Sequence, residues 1–303
     1  MHPTLVKIPL PWGGTLTVAS YGFLIMCGFL LALYLAQRRA KQAGVSPTAL
    51  FDSAVAVLVG GIVGARLFFV IQFWEEYGFG QRPFEIIRID KGGLVFYGGL
   101  IGGGLALLLM MVRKKMPFRA TLGVVASVIP LGHAFGRMGC FLNGCCYGYV
   151  TRSFLGVQFP RILAPGSVED PLYNVDGQHI VGSPPFLDHL TRTPPLVQKT
   201  DLWSAPVHAT QLYAVGYNLA IFAFLAYMFP RRWRSGEVAW LYCIFYGTAR
   251  FANETIRVTE RVFLGLSSAQ WICLPLVLFG FVMFLRGRNM PPEPLGRPVS
   301  AEK

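Results

Sequence analysis

FDSAVAVLVGGIVGARLFFVIQF, residues 51–73, is a long apolar run in which only Asp52 and Arg66 carry a charge. An α-helix needs about 20 predominantly apolar residues to cross the hydrocarbon core of a bilayer. A second run, LVFYGGLIGGGLALLLMMV at 94–112, meets the same requirement without any charge. These two segments predict membrane-spanning helices, and that prediction sets the fold class.

Similar runs recur on both sides of these two segments. Hydrophobic residues make up 53% of the sequence and charged residues 14%, whereas soluble globular proteins carry about 25% charged residues. Helices are predicted at about 18–36, 51–73, 94–112, 121–142, 209–229, 237–252 and 270–285. The sequence therefore predicts an all-α polytopic membrane protein with about seven transmembrane helices.

The net charge of +12 is concentrated in short loops after the first, third, fifth and seventh predicted helices. The clusters are Arg38, Arg39 and Lys41; Arg113, Lys114, Lys115 and Arg119; Arg231, Arg232 and Arg234; and Arg286 and Arg288. Because positive loops favour the cytoplasmic side, we predict an N-terminus outside and a C-terminus inside. Charge placed in this way favours contact with membrane lipids and argues against a nucleic-acid partner.

One long segment, residues 149–206, interrupts the helical pattern with many prolines. Because structureless loops of this length are uncommon, we predict a small extracytoplasmic head there. The predicted organisation is helices one to four in 1–148, the head in 149–206, helices five to seven in 207–286, and a disordered cytoplasmic tail in 287–303.

Glycines recur at a spacing of four, which allows helices to approach closely in a membrane. The pairs are Gly60 and Gly64, Gly98 and Gly102, and Gly99 and Gly103. We interpret the first pair mainly as packing. Gly98 and Gly99 lie at the outer end of a predicted helix, where we expect them to admit a lipid headgroup.

Three arginines, Arg66, Arg137 and Arg250, lie within or beside apolar segments. Such a residue costs at least about 2.5–3.5 kcal/mol to insert, which makes each one a functional candidate. For Arg66, a structural ion pair or a snorkelling side chain is the alternative.

Around Arg250, the residues Tyr246, Arg250, Glu254 and Arg257 are spaced to share one helical face. Two arginines and one carboxylate leave a surplus positive charge on that face. Since arginine binds phosphate through two parallel hydrogen bonds, the pattern predicts a pocket for an anionic lipid headgroup.

Residues 136–148, GRMGCFLNGCCYG, resemble the signature Gly-Arg-x-Gly-Asn-Phe-x-Asn-Gly-Glu-x-x-Gly of the prolipoprotein diacylglyceryl transferase family. Cys140 and Cys145 replace the usual Asn and Glu, as in a subgroup whose signature is Gly-Cys-Phe-Leu-x-Gly-Cys-Cys-Tyr-Gly. Residues 246–257 resemble the family's Tyr-Gly-x-x-Arg-x-x-x-Glu-x-x-Arg. Residues 20–22, 64–67, 207–213 and 268–270 resemble further family segments in the same order, with Ala214 in place of a Glu.

The resemblance implies transfer of a diacylglyceryl group from phosphatidylglycerol to the lipobox cysteine thiol of a prolipoprotein, which forms a thioether. It also implies a multi-pass protein of the bacterial cytoplasmic (inner) membrane, and we expect no cofactor and no metal. The implied catalytic residues are Arg137, Arg250 and Tyr97. The implied substrate-binding residues are Tyr21, Arg66, Gly98, Gly99, Asn143, Tyr246, Glu254, Arg257 and Gln270.

Tyr97 departs from the family, which has a histidine at this position as its candidate general base. A phenol has a reference pKa of about 10 and an imidazole one of about 6.5, so Tyr97 is a poor base at neutral pH. A free thiol has a pKa of about 8.5, and a positive site can ionise it without a dedicated base.

Three alternatives stay open at this stage. Cys140, Cys145 and Cys146 could form a membrane thiol-redox or metal site. No Cys-x-x-Cys spacing is present, however, and small residues in a tight turn at a helix end, or a structural disulfide, also account for them. Buried charges and broken helices also mark transporters, which makes an anion or lipid transporter the second alternative. The third is a family member with a changed substrate, because Tyr97 and Ala214 depart from the family pattern.

Overall fold

The structure is a computed structural model that describes residues 4–9, 15–77, 86–87, 93–161, 173–175, 178–180, 183–198, 200–230 and 236–287. Its helices, in chain order, are α1 (Ser20–Gln42), α2 (Pro47–Gln72), α3 (Trp74–Tyr77), α4 (Phe96–Arg113), α5 (Phe118–Asn143), α6 (Pro184–Thr191), α7 (Thr210–Met228), α8 (Glu237–Thr255) and α9 (Ser268–Gly287).

All of the predicted long helices are present, as α1, α2, α4, α5, α7, α8 and α9. In the described part of the chain, 6 helices are long and apolar enough to cross a membrane. Of the seven long helices, α8 is the one that does not meet this criterion, and it carries Glu237, Arg250 and Glu254. The prediction of an all-α polytopic membrane protein is confirmed.

The surface of the helices is strongly apolar. Leu58, Val59 and Val63 of α2 are 50%, 56% and 59% exposed, and Leu105 of α4 is 62% exposed. Water-soluble proteins rarely expose apolar surface this continuously. In lipid, exposed apolar side chains carry no hydrophobic free-energy penalty, unlike in water.

Local sequence signals explain where α2 begins. The Ser46 hydroxyl accepts a hydrogen bond from the Ala49 amide at 3.3 Å, and Pro47 occupies the first turn. A serine N-cap satisfies an amide that has no partner inside the helix, and proline is favoured next because its missing N–H is not needed there.

The described residues divide into two compact units. One comprises the described residues of Met1–Ala32, Ala126–Arg232 and Glu237–Asn289, and we call it the arginine unit. The other comprises those of Leu33–Val125 and Gly236, and we call it the glycine unit. Each unit is described by itself below.

Helices α2 and α4 pack through their glycines in the glycine unit. A Cβ atom on Gly102 would overlap the carbonyl oxygen of Gly60, and one on Gly64 would overlap that of Gly98. At the other end of the pair, Lys114 contacts Asp52 at 2.9 Å. The predicted role of these glycines in helix contact is therefore seen, and it includes Gly98.

The strands form small antiparallel pairs. They are β1 (Thr4–Pro9) with β2 (Thr15–Ala19), β3 (Gly156–Val157) with β6 (Val207–His208), and β4 (Tyr173–Val175) with β5 (Gln178–Ile180). The hairpin of β1 and β2 was not predicted, because its β-branched residues precede the first apolar run and were not considered as strands.

The segment between α5 and α7 has a small core of its own, made by Phe186, Leu187, Leu190 and Val197. The His189 ring helps to close it, because its Nδ1 atom accepts a hydrogen bond from the Ala205 amide at 3.2 Å. Its description as a separate extracytoplasmic head stays a prediction. The predicted disorder of 287–303 lies outside the described residues apart from Gly287.

Candidate functional site

Several helix ends meet on one side of the arginine unit. Gly139 near the end of α5 packs against Tyr21 at the start of α1, since a Cβ there would lie 2.8 Å from Tyr21 Cδ2. Gln211 at the start of α7 donates a hydrogen bond to the Cys145 carbonyl at 2.7 Å. Gln270 at the start of α9 donates one to the Phe251 carbonyl of α8 at 3.4 Å. We call this cluster of helix ends the candidate site.

One buried carboxylate is shared by two arginines, as the helical spacing predicted. Glu254 is 1% exposed, and its Oε2 atom lies 2.5 Å from Arg250 Nη1 and 3.4 Å from Arg257 Nη1. One negative charge therefore faces two positive charges. The cluster keeps a net charge of about +1, which an anion could neutralise.

Arg137 adds a third guanidinium. Among the described residues it forms neither an ion pair nor a hydrogen bond. Its charge acts on the sulfur of Cys146 and on the phenols of Tyr217 and Tyr246, to which Arg250 also contributes. A guanidinium kept inside an apolar unit without a carboxylate is the strongest sign of an anion-binding position.

Aromatic rings pack beside these arginines. Tyr246 stacks on Tyr242 with ring centroids 5.3 Å apart and contacts the His133 ring at 4.9 Å. The Tyr242 hydroxyl lies 3.4 Å from His133 Nδ1. The Tyr217 hydroxyl is buried beside Asn218. Tyr217 was not predicted, because nothing in the sequence of α7 shows that its phenol lies beside arginines from two other helices.

Gln270 has structural partners for its side chain. Its Oε1 atom accepts hydrogen bonds from Arg261 Nη1 at 2.8 Å and from the Ser267 amide at 3.0 Å. Arg261 also donates to the carbonyls of Glu254 and Thr255 at the end of α8. Arg261 was missed by the sequence analysis, although a basic residue following a helix C-terminus is a known capping signal.

The predicted residues Tyr21 and Asn143 lie at the rim of the candidate site. Tyr21 is 43% exposed, and its phenol is within electrostatic reach of Arg137 and three nearby thiols. Asn143 is the last residue of α5 and is exposed. Both are placed where a ligand could reach them from the surface of the unit.

The loop after α5 brings three thiols together. The sulfur atoms of Cys140, Cys145 and Cys146 all lie within 4.8 Å of one another, and Arg257 Nη2 donates a hydrogen bond to Cys146 Sγ at 3.0 Å. Hydrogen bonds from Cys140 and Cys145 lower the pKa of the Cys146 thiol, and the charges of Arg257 and Arg137 lower it further against the opposing effect of burial. The same sulfur contacts raise the pKa of Cys145.

Four predicted residues lie in the glycine unit: Arg66, Tyr97, Gly98 and Gly99. Arg66 donates hydrogen bonds to the carbonyls of Ile86 at 2.8 Å and Gly93 at 3.1 Å, which ties the chain before α4 to α2. Tyr97 is 37% exposed in the first turn of α4, beside Phe96. These hydrogen bonds join Arg66 to the backbone, and both the structural ion pair and the binding of substrate stay predictions.

Comparison with known proteins identifies similar chains over almost the whole length. A family model described as prolipoprotein diacylglyceryl transferase matches residues 8–286. This chain is similar to proteins named phosphatidylglycerol–prolipoprotein diacylglyceryl transferase from Burkholderia cenocepacia and Streptococcus agalactiae. The former is 28% identical over 94% of this chain and 95% of its own, and the latter 29% identical over 95% and 97%. A Clostridium perfringens protein named phosphatidylglycerol–prolipoprotein diacylglyceryl transferase 2 is 28% identical over 90% of this chain and 94% of its own.

Proposed function

The chain belongs to the prolipoprotein diacylglyceryl transferase family, and from that premise we propose that its candidate site binds phosphatidylglycerol through Arg137 and Arg250. The reaction transfers the diacylglyceryl group of phosphatidylglycerol to a prolipoprotein, the first step of lipoprotein maturation. The observation that carries the assignment of the site is Arg137, a guanidinium without a carboxylate partner among the described residues.

The charge balance of the site favours a phosphate as the ligand. Arg137, Arg250 and Arg257 supply three positive charges, and Glu254 supplies one negative charge. A phosphodiester adds one negative charge. A planar guanidinium can hold two of its oxygens at once, which a lysine ammonium cannot do with the same directionality.

The acceptor in this proposal is the thiol of the lipobox cysteine. Its sulfur, as thiolate, attacks the glyceryl carbon that carries the phosphate. A carbon–sulfur bond forms, the carbon–oxygen bond to phosphate breaks, and glycerol phosphate leaves with the electron pair. Negative charge grows on the departing phosphate oxygen, where a fixed guanidinium stabilises the transition state more than the ground state.

The remaining residues have supporting roles in this proposal. Glu254 holds Arg250 and Arg257 in place through ion pairs, and the Tyr246 ring packs at the side of the site. Tyr21 and Asn143 donate hydrogen bonds to the glycerol of the headgroup. Gln270 stabilises the end of α8 through its hydrogen bonds with Arg261 and the Phe251 carbonyl. Tyr97 and Gly99 belong to the lipid-binding surface of the glycine unit, with Tyr97 as a hydrogen-bond donor. Arg66 and Gly98 are buried and support this surface through their contacts with the chain before α4 and with α2.

We also propose the bacterial cytoplasmic membrane as the location, with the candidate site at its outer face. The protein is a multi-pass membrane protein, and the relatives come from bacteria. The basic clusters lie at or just after the C-terminal ends of α1, α4, α7 and α9, whereas the candidate site includes the N-terminal ends of α1, α7 and α9. Secreted precursors present their lipobox at that outer face.

The test is transfer by the purified protein from phosphatidylglycerol vesicles to a synthetic lipobox peptide, followed by mass spectrometry. A mass gain of one diacylglyceryl group is expected, and none with phosphatidylcholine vesicles. Arg137→Ala is expected to lower kcat by about 100- to 1,000-fold, the usual effect of removing one transition-state donor.

Arg152→Ala is the matched control, because Arg152 is an exposed arginine of the segment between α5 and α7. It removes the same charge and leaves the candidate site intact, so its rate is expected to stay within about twofold of the parent. Activity of Arg137→Ala equal to that of Arg152→Ala would refute the role of Arg137 in binding phosphate.

A further inference from the structure

The three thiols beside the candidate site form a ready-made ligand set for a soft metal ion. Cys140, Cys145 and Cys146 each offer one sulfur, and the three sulfurs lie within 4.8 Å of one another. All three are free thiols. In a three- or four-coordinate site with metal–sulfur bonds of about 2.3 Å, sulfurs are about 3.7–4.0 Å apart, somewhat closer than the limit of 4.8 Å within which these three sulfurs lie.

Backbone contacts fix the loop that carries these thiols. The Cys145 amide donates to the Cys140 carbonyl at 3.1 Å. Gln211 holds the Cys145 carbonyl at 2.7 Å, and Thr210 holds the Cys146 carbonyl at 2.5 Å. Cys146 has a φ of 65°, a left-handed conformation that costs a side-chain-bearing residue about 1–3 kcal/mol. The loop keeps this strained turn, which brings the sulfurs of Cys145 and Cys146 next to that of Cys140 in α5.

The surrounding charges suit an anionic metal–thiolate centre. Three thiolates and one divalent cation carry a net charge of −1. Arg257 donates to Cys146 at 3.0 Å, and the charge of Arg137 also acts on that sulfur. Thiolate ligands select zinc-class ions over magnesium or calcium, which prefer oxygen. Catalytic zinc sites keep three protein ligands and one open position.

We propose that Cys140, Cys145 and Cys146 bind a Zn²⁺ ion whose open fourth position takes the sulfur of the acceptor thiol. This inference rests on the proposed function for the identity of that thiol, and it revises the expectation of a metal-free protein. Cys145 and Cys146 are only partly buried, so an incoming thiol can reach the open side of the cluster.

Metal binding would ionise the acceptor thiol. A thiol that coordinates Zn²⁺ gives up its proton, here to solvent water, and stays bound as thiolate. The bound thiolate then attacks the glyceryl carbon while the electron pair of the broken carbon–oxygen bond leaves with glycerol phosphate. No oxidant or reductant takes part.

The test begins with metal analysis of the full-length protein, purified under reducing, oxygen-free conditions and loaded with Zn²⁺. The parent is expected to hold about one zinc ion per chain. Cys140→Ser, Cys145→Ser and Cys146→Ser are each expected to lower this content at least tenfold. Cys27→Ser is the matched control, since Cys27 is a partly buried free thiol of α1, and it is expected to keep the metal.

The second measurement uses Co²⁺ in place of Zn²⁺. Sulfur-to-cobalt charge-transfer bands are expected in the parent, with a change in the d–d bands when a lipobox peptide is added. The same peptide with serine in place of its cysteine is expected to leave the spectrum unchanged. A spectrum that responds equally to both peptides would refute binding of the acceptor thiol.

Three results would overturn the metal site: a parent without zinc after loading, zinc retained when all three cysteines are serine, or a disulfide among them in native membranes. Full transfer activity of the zinc-free parent would overturn the link to the reaction and leave the proposed function standing. Stoichiometric zinc with no transfer to any lipobox peptide would refute the proposed function and leave the metal site standing.

Discussion

At the residue scale, the decisive feature is one carboxylate that forms ion pairs with two guanidinium groups. Glu254 is almost fully buried between Arg250 and Arg257. A buried charge is tolerated only when it is paired, and removing one partner leaves the others without compensation. The pair therefore stabilises the end of α8 while it leaves the site with an excess of positive charge for a phosphate.

Glu254→Gln should lower the stability of the protein markedly. The amide keeps the shape of the side chain and removes its charge, so the buried Arg250 and the partly buried Arg257 lose their shared counter-ion. Loss of one partner from a buried pair costs about 3–5 kcal/mol. Thermal and denaturant unfolding in detergent micelles would measure the change.

A control for this variant is Asp188→Asn in α6, which breaks a pair of the same helical spacing. Arg192 lies 2.7 Å from Asp188, and both side chains are about one-third exposed. Exposed pairs of this type contribute about 0–1 kcal/mol. Equal destabilisation by the two variants would contradict the buried role of Glu254.

Residue spacing along one helix made part of the site predictable. Contacts between segments that are distant in the sequence could not be predicted. The shared face of Arg250, Glu254 and Arg257 follows from helical geometry alone. The bond from Arg257 to Cys146 and the bond from Arg261 to Gln270 join a loop to another segment. No periodicity in the sequence encodes such distances, so Arg261 was missed and the contacts of Gln270 with α8 and Arg261 were not predicted.

At the element scale, packing of α2 on α4 depends on positions without side chains. Gly60 and Gly64 of α2 face Gly98 and Gly102 of α4, and the backbones touch there. Between apolar helices in lipid, this close contact replaces the hydrophobic effect as the source of association. The four-residue spacing predicted the contact, although it could not reveal which glycines pair.

Gly102→Ala should weaken this contact. Its Cβ would overlap the carbonyl oxygen of Gly60 and lie 2.9 Å from the Gly64 Cα, so the helices must separate. Overpacking of this kind costs about 1–3 kcal/mol. Gly104→Ala, two residues along the same helix, meets nothing within 4 Å and should change stability by less than about 0.5 kcal/mol. A thermal unfolding series in one detergent would rank the two, and a larger loss for Gly104→Ala would contradict the packing.

At the scale of the whole molecule, hydropathy and charge were enough to predict the long helices and their order. Each apolar run became a helix, including α8, which carries three charges; two of these, Arg250 and Glu254, lie in the candidate site. The small strands and α6 were not predicted individually, since short segments carry too few residues to show a period. Position along the chain also did not show that Arg66 binds backbone carbonyls.

The orientation of the whole chain is the last property that the charges predict. Basic clusters lie at or just after the C-terminal ends of α1, α4, α7 and α9, while the segment at 149–206 carries only Arg152, Arg161, Arg192 and Lys199 over a much greater length. We therefore expect the membrane potential and the anionic inner leaflet to retain the denser clusters on the cytoplasmic side. In a cysteine-free background, Phe154→Cys places a thiol at a side chain that is 94% exposed, and Lys115→Cys places one in a basic loop. A membrane-impermeant maleimide should label the first in spheroplasts and the second only after the membrane is opened. The reverse pattern would put the candidate site on the cytoplasmic face, away from secreted precursors, and would contradict the proposed acceptor as well as the orientation.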